Sequence, residues 1–166
     1  MIAMSVAIES SALVSKLALG STDCRIEPDR CVVIDHWIEL AKEARREDLY
    51  LSFGERIYPK ELFERYRRAL SFMSKRVTQE ELARFIVLAE GSRGFDVSSR
   101  LREITCPTLL ISDTEDRVIR PEAAEEIAAQ LRENPDFEHF RYQGFGHAAY
   151  DTAPDYTQRL YDFFMR

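Results

Sequence analysis

The chain has 166 residues, enough for a substantial core, and its make-up is that of a globular protein, 45% hydrophobic and 31% charged. A net charge of -6, with basic residues interleaved among acidic ones as in "EARREDLY", argues against a nucleic-acid or anionic-membrane surface. No apolar run approaches the ~20 residues of a membrane span, and no basic residue precedes "MIAMSVAI" as a signal peptide would require.

Residues 1–10 place Ile2 and Val6 on a helical repeat, yet no Ser, Thr, Asp or Asn stands ahead of them as an N-cap. The helix therefore reads as one that has been cut into. "LVSKLALGST", 13–22, predicts a short, mostly buried parallel strand closing at Gly20. Cys24, Cys31 and Cys106 make an odd number without framework spacing, which favours a reduced, cytoplasmic setting. Cys24, Cys31 and His36 lack the C-x-x-C knuckle of a zinc site.

From Asp35 to about Phe95 the pattern is helical throughout. "DHWIELAKEARR" puts Trp37, Leu40, Ala41 and Ala44 on one face. "PKELFERYRRALSFMSKR" opens on Pro59 and presents Leu62, Phe63, Tyr66, Leu70 and Met73. Thr78 and Glu81 form a capping-box pattern ahead of "LARFIVLAE". Trp37, Phe53, Tyr58, Phe63, Tyr66, Phe72 and Phe85 make this block aromatic, and its expected job is to cover something. The last third returns to alternation: "CPTLLIS", 106–112, as a buried strand, a helix from Pro121, "FEHFRYQ", 137–143, as a strand, and a closing helix with Leu160, Phe163 and Phe164 inward. The order predicts an α/β fold, a partial, doubly wound parallel sheet of about three strands with a helical insertion.

In open parallel sheets ligands bind beyond the carboxyl ends of the strands. Two candidate groups sit at such ends: Asp116, after the 106–112 strand, and His147, in "RYQGFGHAAYDTAP". A carboxylate bonded to one ring nitrogen fixes the imidazole tautomer and frees the other nitrogen to take a proton. His36 and His139 read as ordinary, one opening an amphipathic helix and one alternating within a strand.

From residue 106 onward the sequence resembles the C-terminal portion of an α/β-hydrolase, in which an acid follows one strand ("LLISDTEDRVIRPE") and a histidine the next ("YQGFGHAAYDTAP"). "MIAMSVAIESSALVSKLALGST" is similar to the helix after that family's nucleophile elbow and the strand that succeeds it. The resemblance implies core segments at 1–34 and 98–166, with 35–97 as a cap or lid. It implies a Ser–His–Asp mechanism acting on an ester- or amide-type small molecule, with Asp116 and His147 as acid and base and no cofactor. Asp113 ranks next for the acid and Glu115 last. Two departures matter. The family often has Gly where this sequence has Asp113, and the G-x-S-x-G elbow, expected just before Met1, does not occur within the 166 residues. Ser5 has no flanking glycines and is expected inside a helix.

The chain alone is therefore expected to be inactive. Its expected partners are a small-molecule substrate and either the N-terminal half of a hydrolase or a second copy pairing through the open edge strand, with no nucleic acid and no membrane. A catalytically silent, binding or self-associating module is the alternative.

Overall fold

The buried run at 106–112 becomes the middle of a three-stranded parallel sheet in the computed structural model, which describes residues 1–166. In chain order the elements are α1 (Ile2–Glu9), β1 (Leu17–Gly20), α2 (Pro28–Lys42), α3 (Arg46–Ile57), α4 (Lys60–Ser74), α5 (Gln79–Gly91), β2 (Thr108–Asp113), α6 (Pro121–Leu131), β3 (Phe137–Tyr142), α7 (Ala149–Thr152) and α8 (Tyr156–Met165). They divide into two compact units: Met1–Arg25 with Asp96–Arg166, and Ile26–Phe95. No helix is long and apolar enough to cross a membrane.

The first unit holds the sheet. Its order is β1-β2-β3, with Leu17 opposite Thr108 and Thr108 opposite Phe137. Every residue of β2 is buried, as a central parallel strand requires. Successive side chains alternate between faces. On one face Leu109, Ile111 and Tyr142 pack with Ala149 of α7, Phe163 of α8 and Ala153 between them. On the other, Arg141 reaches Glu125 of α6, whose Ala124, Ile127 and Leu131 are buried. Each fully buried aliphatic or aromatic side chain contributes about 1.5–3 kcal/mol, so the two faces hold the sheet between helices.

Several expected details shift. β1 starts at Leu17 rather than residue 13, because Ser11–Leu13 form a 3-10 turn that leaves Leu13 81% exposed. α1 has no side-chain cap, as its sequence leads one to expect, and it buries Met4, Ala7 and Ile8 while Ile2 and Val6 stay exposed. In α8, Phe163 is buried and Leu160 packs beside it, while Phe164 faces outward.

The second unit is four helices. α2 begins at Pro28, ahead of the expected Asp35, because the fixed φ of proline suits the first helical position. Trp37 meets Phe53 edge-on at 4.7 Å, Phe53 meets Phe85 at 5.4 Å, and the Trp37 indole N–H donates to Ser52 Oγ. The capping box of α5 forms as its sequence dictates, with Thr78 and Glu81 exchanging hydrogen bonds. In α4 the inward stripe runs through Phe63, Tyr66, Leu70 and Ser74. Phe72 and Met73 lie off it and stay exposed, contrary to expectation, and Arg76 covers the Phe72 ring.

Candidate active site

Both candidate groups stand at the carboxyl ends of neighbouring strands. β2 and β3 run in register to Asp113 and Tyr142, and the Thr114 N–H donates to the Tyr142 carbonyl one step further on. The two following turns therefore begin side by side.

The turn after β2 is built on its own acids. Asp116 is buried, and its Oδ1 accepts the N–H groups of Val118 and Ile119, both at 2.8 Å. Those bonds aim Oδ2 away from the turn. The turn after β3 needs glycine: Gly144 and Gly146 have φ of +86° and +63°, a region side chains disfavour. This bend places His147 in a short 3-10 turn ahead of α7.

The two turns meet in one contact. His147 Nδ1 lies 2.9 Å from Asp116 Oδ2, with the imidazole side chain 22% exposed and the carboxylate 2%. A carboxylate can only accept, so the contact assigns a ring proton to Nδ1, and in the neutral imidazole Nε2 is then the bare nitrogen. Three N–H donors converge on one buried carboxylate, which holds the ring orientation. This is an oriented imidazole with a free basic nitrogen.

The other candidates part company. Asp113 is buried, and neither of its oxygens is spent on an imidazole: Oδ1 accepts the Glu115 N–H at 2.7 Å and Oδ2 the Phe145 N–H at 3.0 Å. Its φ is not positive, so the position does not demand glycine. Glu115 is exposed. Ser5 lies inside α1, as expected. His36 is exposed on α2.

His139 is less ordinary than its sequence context suggests. Its Nε2 lies 2.8 Å from Ser112 Oγ, and its Nδ1 is buried without a hydrogen-bond partner. Burial, and then the Arg141 cation, hold this imidazole below its usual range against the opposing pull of Glu125. Residues 112 and 139 share the α6 face of the sheet. A cleft of about 360 Å³ in the first unit is lined by Lys16, Pro107, Asp136 and Glu138, at the amino ends of the strands. No group of three or more His, Cys, Asp or Glu side chains is arranged to hold a metal ion.

Comparison with known proteins gives the architecture a name. No family model and no curated protein matches the sequence. Among solved structures, the chain is similar to MGS-M2, an α/β-hydrolase enzyme from a Medee basin deep-sea metagenome library, with a TM-score of 0.89 at 23% identity over 99% of this chain and 61% of that one. It is similar to the enol-lactonase from Burkholderia xenovorans LB400, with a TM-score of 0.74 at 19% identity over 99% and 61%. It is also similar to an esterase from Exiguobacterium antarcticum, with a TM-score of 0.73 at 21% identity over 99% and 63%. The chain thus spans about three-fifths of the length of these proteins, in their C-terminal portion. Its fold is the corresponding part of an α/β-hydrolase.

Proposed function

We propose that this chain supplies the acid and base of a serine-type hydrolase acting on small ester- or amide-type substrates, with the nucleophile contributed by polypeptide outside the 166 residues. The observation that supports the reading is the 2.9 Å contact between His147 Nδ1 and Asp116 Oδ2, which in the neutral ring leaves Nε2 free to accept a proton. The similar folds of an esterase and an enol-lactonase favour acyl chemistry.

In this reading Nε2 of His147 removes the proton of a serine hydroxyl as its oxygen attacks the substrate carbonyl carbon. The same nitrogen then returns the proton to the departing alcohol or amine as the carbonyl–heteroatom bond breaks. Water repeats the cycle on the acyl-enzyme and releases the acid. Asp116 stays ionised throughout and stabilises the imidazolium. The setting is a reducing cytoplasm, in which Cys24, Cys31 and Cys106 stay free thiols.

The test is turnover of p-nitrophenyl acetate by a polypeptide that joins a G-x-S-x-G segment ahead of this chain. His147→Ala should lower kcat by about 10²–10⁴. Equal rates with and without the imidazole would dispose of the reading.

A binding or self-associating role has one observation in its favour. β1 is the edge of the sheet, and Ile2 and Leu13, close to it in sequence, are 80% and 81% exposed. Such an edge pairs readily with another chain. Light scattering on the purified chain decides this one, and a monodisperse monomer at micromolar concentration counts against it.

A further inference from the structure

Asp113 is a carboxylate that the acid–base chemistry does not use, buried to 1% exposure at the end of the central strand. Burying a charge is costly unless its oxygens are bonded. Both are. Oδ1 accepts the N–H of Glu115 in its own turn, and Oδ2 accepts the N–H of Phe145 in the next one, 32 residues on. The first bond shapes the acid turn. The second ties the histidine turn to β2.

The tie falls between the two glycines of that turn. Phe145 lies between Gly144 and Gly146, both at positive φ, and glycine is the residue with most freedom to leave such angles. His147 follows directly. The Phe145 ring is held separately, edge-on to Tyr142 at 5.4 Å, and the 3-10 turn Gly146–Ala148 orders the residues that follow, but neither ties this backbone to β2. The peptide N–H of Phe145 is the atom through which β2 fixes the approach of the imidazole to Asp116.

We infer that Asp113 is a positioning residue: its carboxylate, bridging the Glu115 and Phe145 amides, holds the two turns in register so that His147 keeps Nδ1 on Asp116. The inference rests on the acid–base reading of that pair. It accounts for an acid at a position where backbone geometry does not call for glycine.

Asp113→Asn tests it on the chain itself. The amide keeps the shape but replaces one acceptor oxygen with a donor, so one of the two N–H groups must face another N–H. Long-range ¹H–¹⁵N spectra of the histidine ring, taken at about pH 8 where imidazole is neutral, read the tautomer. The unsubstituted chain should show His147 as a single Nδ1–H form with a slowly exchanging Phe145 amide. In Asp113→Asn the Phe145 amide should lose at least about tenfold protection, and His147 should show two interconverting tautomers. A purely structural role lowers the unfolding midpoint but leaves the tautomer of the folded molecules unchanged, and that result overturns the inference. Asp116→Asn separates the two claims. If it abolishes the tautomer preference while Asp113→Asn does not, the pair stands and the positioning role falls. If neither variant changes the ring, both fall. Should Asp113→Asn not fold, the unsubstituted chain decides alone: a Phe145 amide exchanging at the rate of a free peptide overturns the inference.

Discussion

Replacing Gly20 by alanine directs a methyl group at the ring of Tyr156. A Cβ at residue 20 would stand 3.5 Å from Tyr156 Cζ, with the phenolic oxygen inside the space the methyl needs. The ring tip would have to retreat by about 1 Å to restore ordinary contact. It is not free to do so, because Tyr156 stacks on Tyr142 at 6.0 Å and packs against the buried cluster around Leu109 and Ile111. Overpacking of this kind costs about 1–3 kcal/mol. Gly20 is outside the positive-φ region, so the substitution also recovers roughly 0.4–1 kcal/mol by restricting the unfolded chain. The net expectation is a loss of about 1–2 kcal/mol, or roughly 2–8 °C in Tm. Urea unfolding of Gly20→Ala, Tyr156→Phe and the double variant measures it. Removing the phenolic oxygen leaves the methyl an ordinary contact with the ring carbon, so the double variant should regain most of the loss. A Gly20→Ala chain as stable as the original, or an equal loss in the Tyr156→Phe background, would refute the packing of β1 against α8.

Three further outcomes follow from the charges and caps. Burial depresses the His139 imidazole, so below about pH 6.5 the unfolded chain binds a proton that the native one does not. Stability present above that pH should fall as pH drops toward the folded value, and urea midpoints measured across this range should fall less in His139→Gln. Cys24 is 1% exposed and pushed up to about 12, first by burial and then by Glu126, so a thiol reagent at about pH 8 should modify no more than two of the three cysteines until the chain is unfolded. Thr78→Ala removes the cap of α5 and should cost about 1 kcal/mol in urea unfolding, with Thr78→Ser retaining most of it.

Much of the fold was legible because its signals are local. The unbroken apolar run of β2 marks a strand buried on both faces, and Thr78 with Glu81 marks a helix start. Asp116 and His147 were legible for a different reason: parallel strands expose their following turns at one end, so two chemistry-bearing turns in succession converge. What the sequence hid are relations between distant groups. The bond from Asp113 runs to a backbone N–H, a group every residue but proline carries, so no residue type at 145 advertises it. The one available hint was an acid at the end of an apolar strand, which must find donors once buried. Ser112 and His139 come together only through strand register, two positions off the direct pairing of Ser112 with Arg141. The outward turn of Phe164 was misread because helical periodicity identifies an apolar stripe without saying which edge of it meets the core.

The ring tautomer of His147 in the unsubstituted chain tests the central claim most directly. Long-range ¹H–¹⁵N spectra should show one neutral form, protonated at Nδ1 and bare at Nε2, because Asp116 Oδ2 accepts at 2.9 Å. A proton on Nε2, or an even mixture of the two forms, would mean that the carboxylate does not orient the imidazole, and the acid–base account would be wrong.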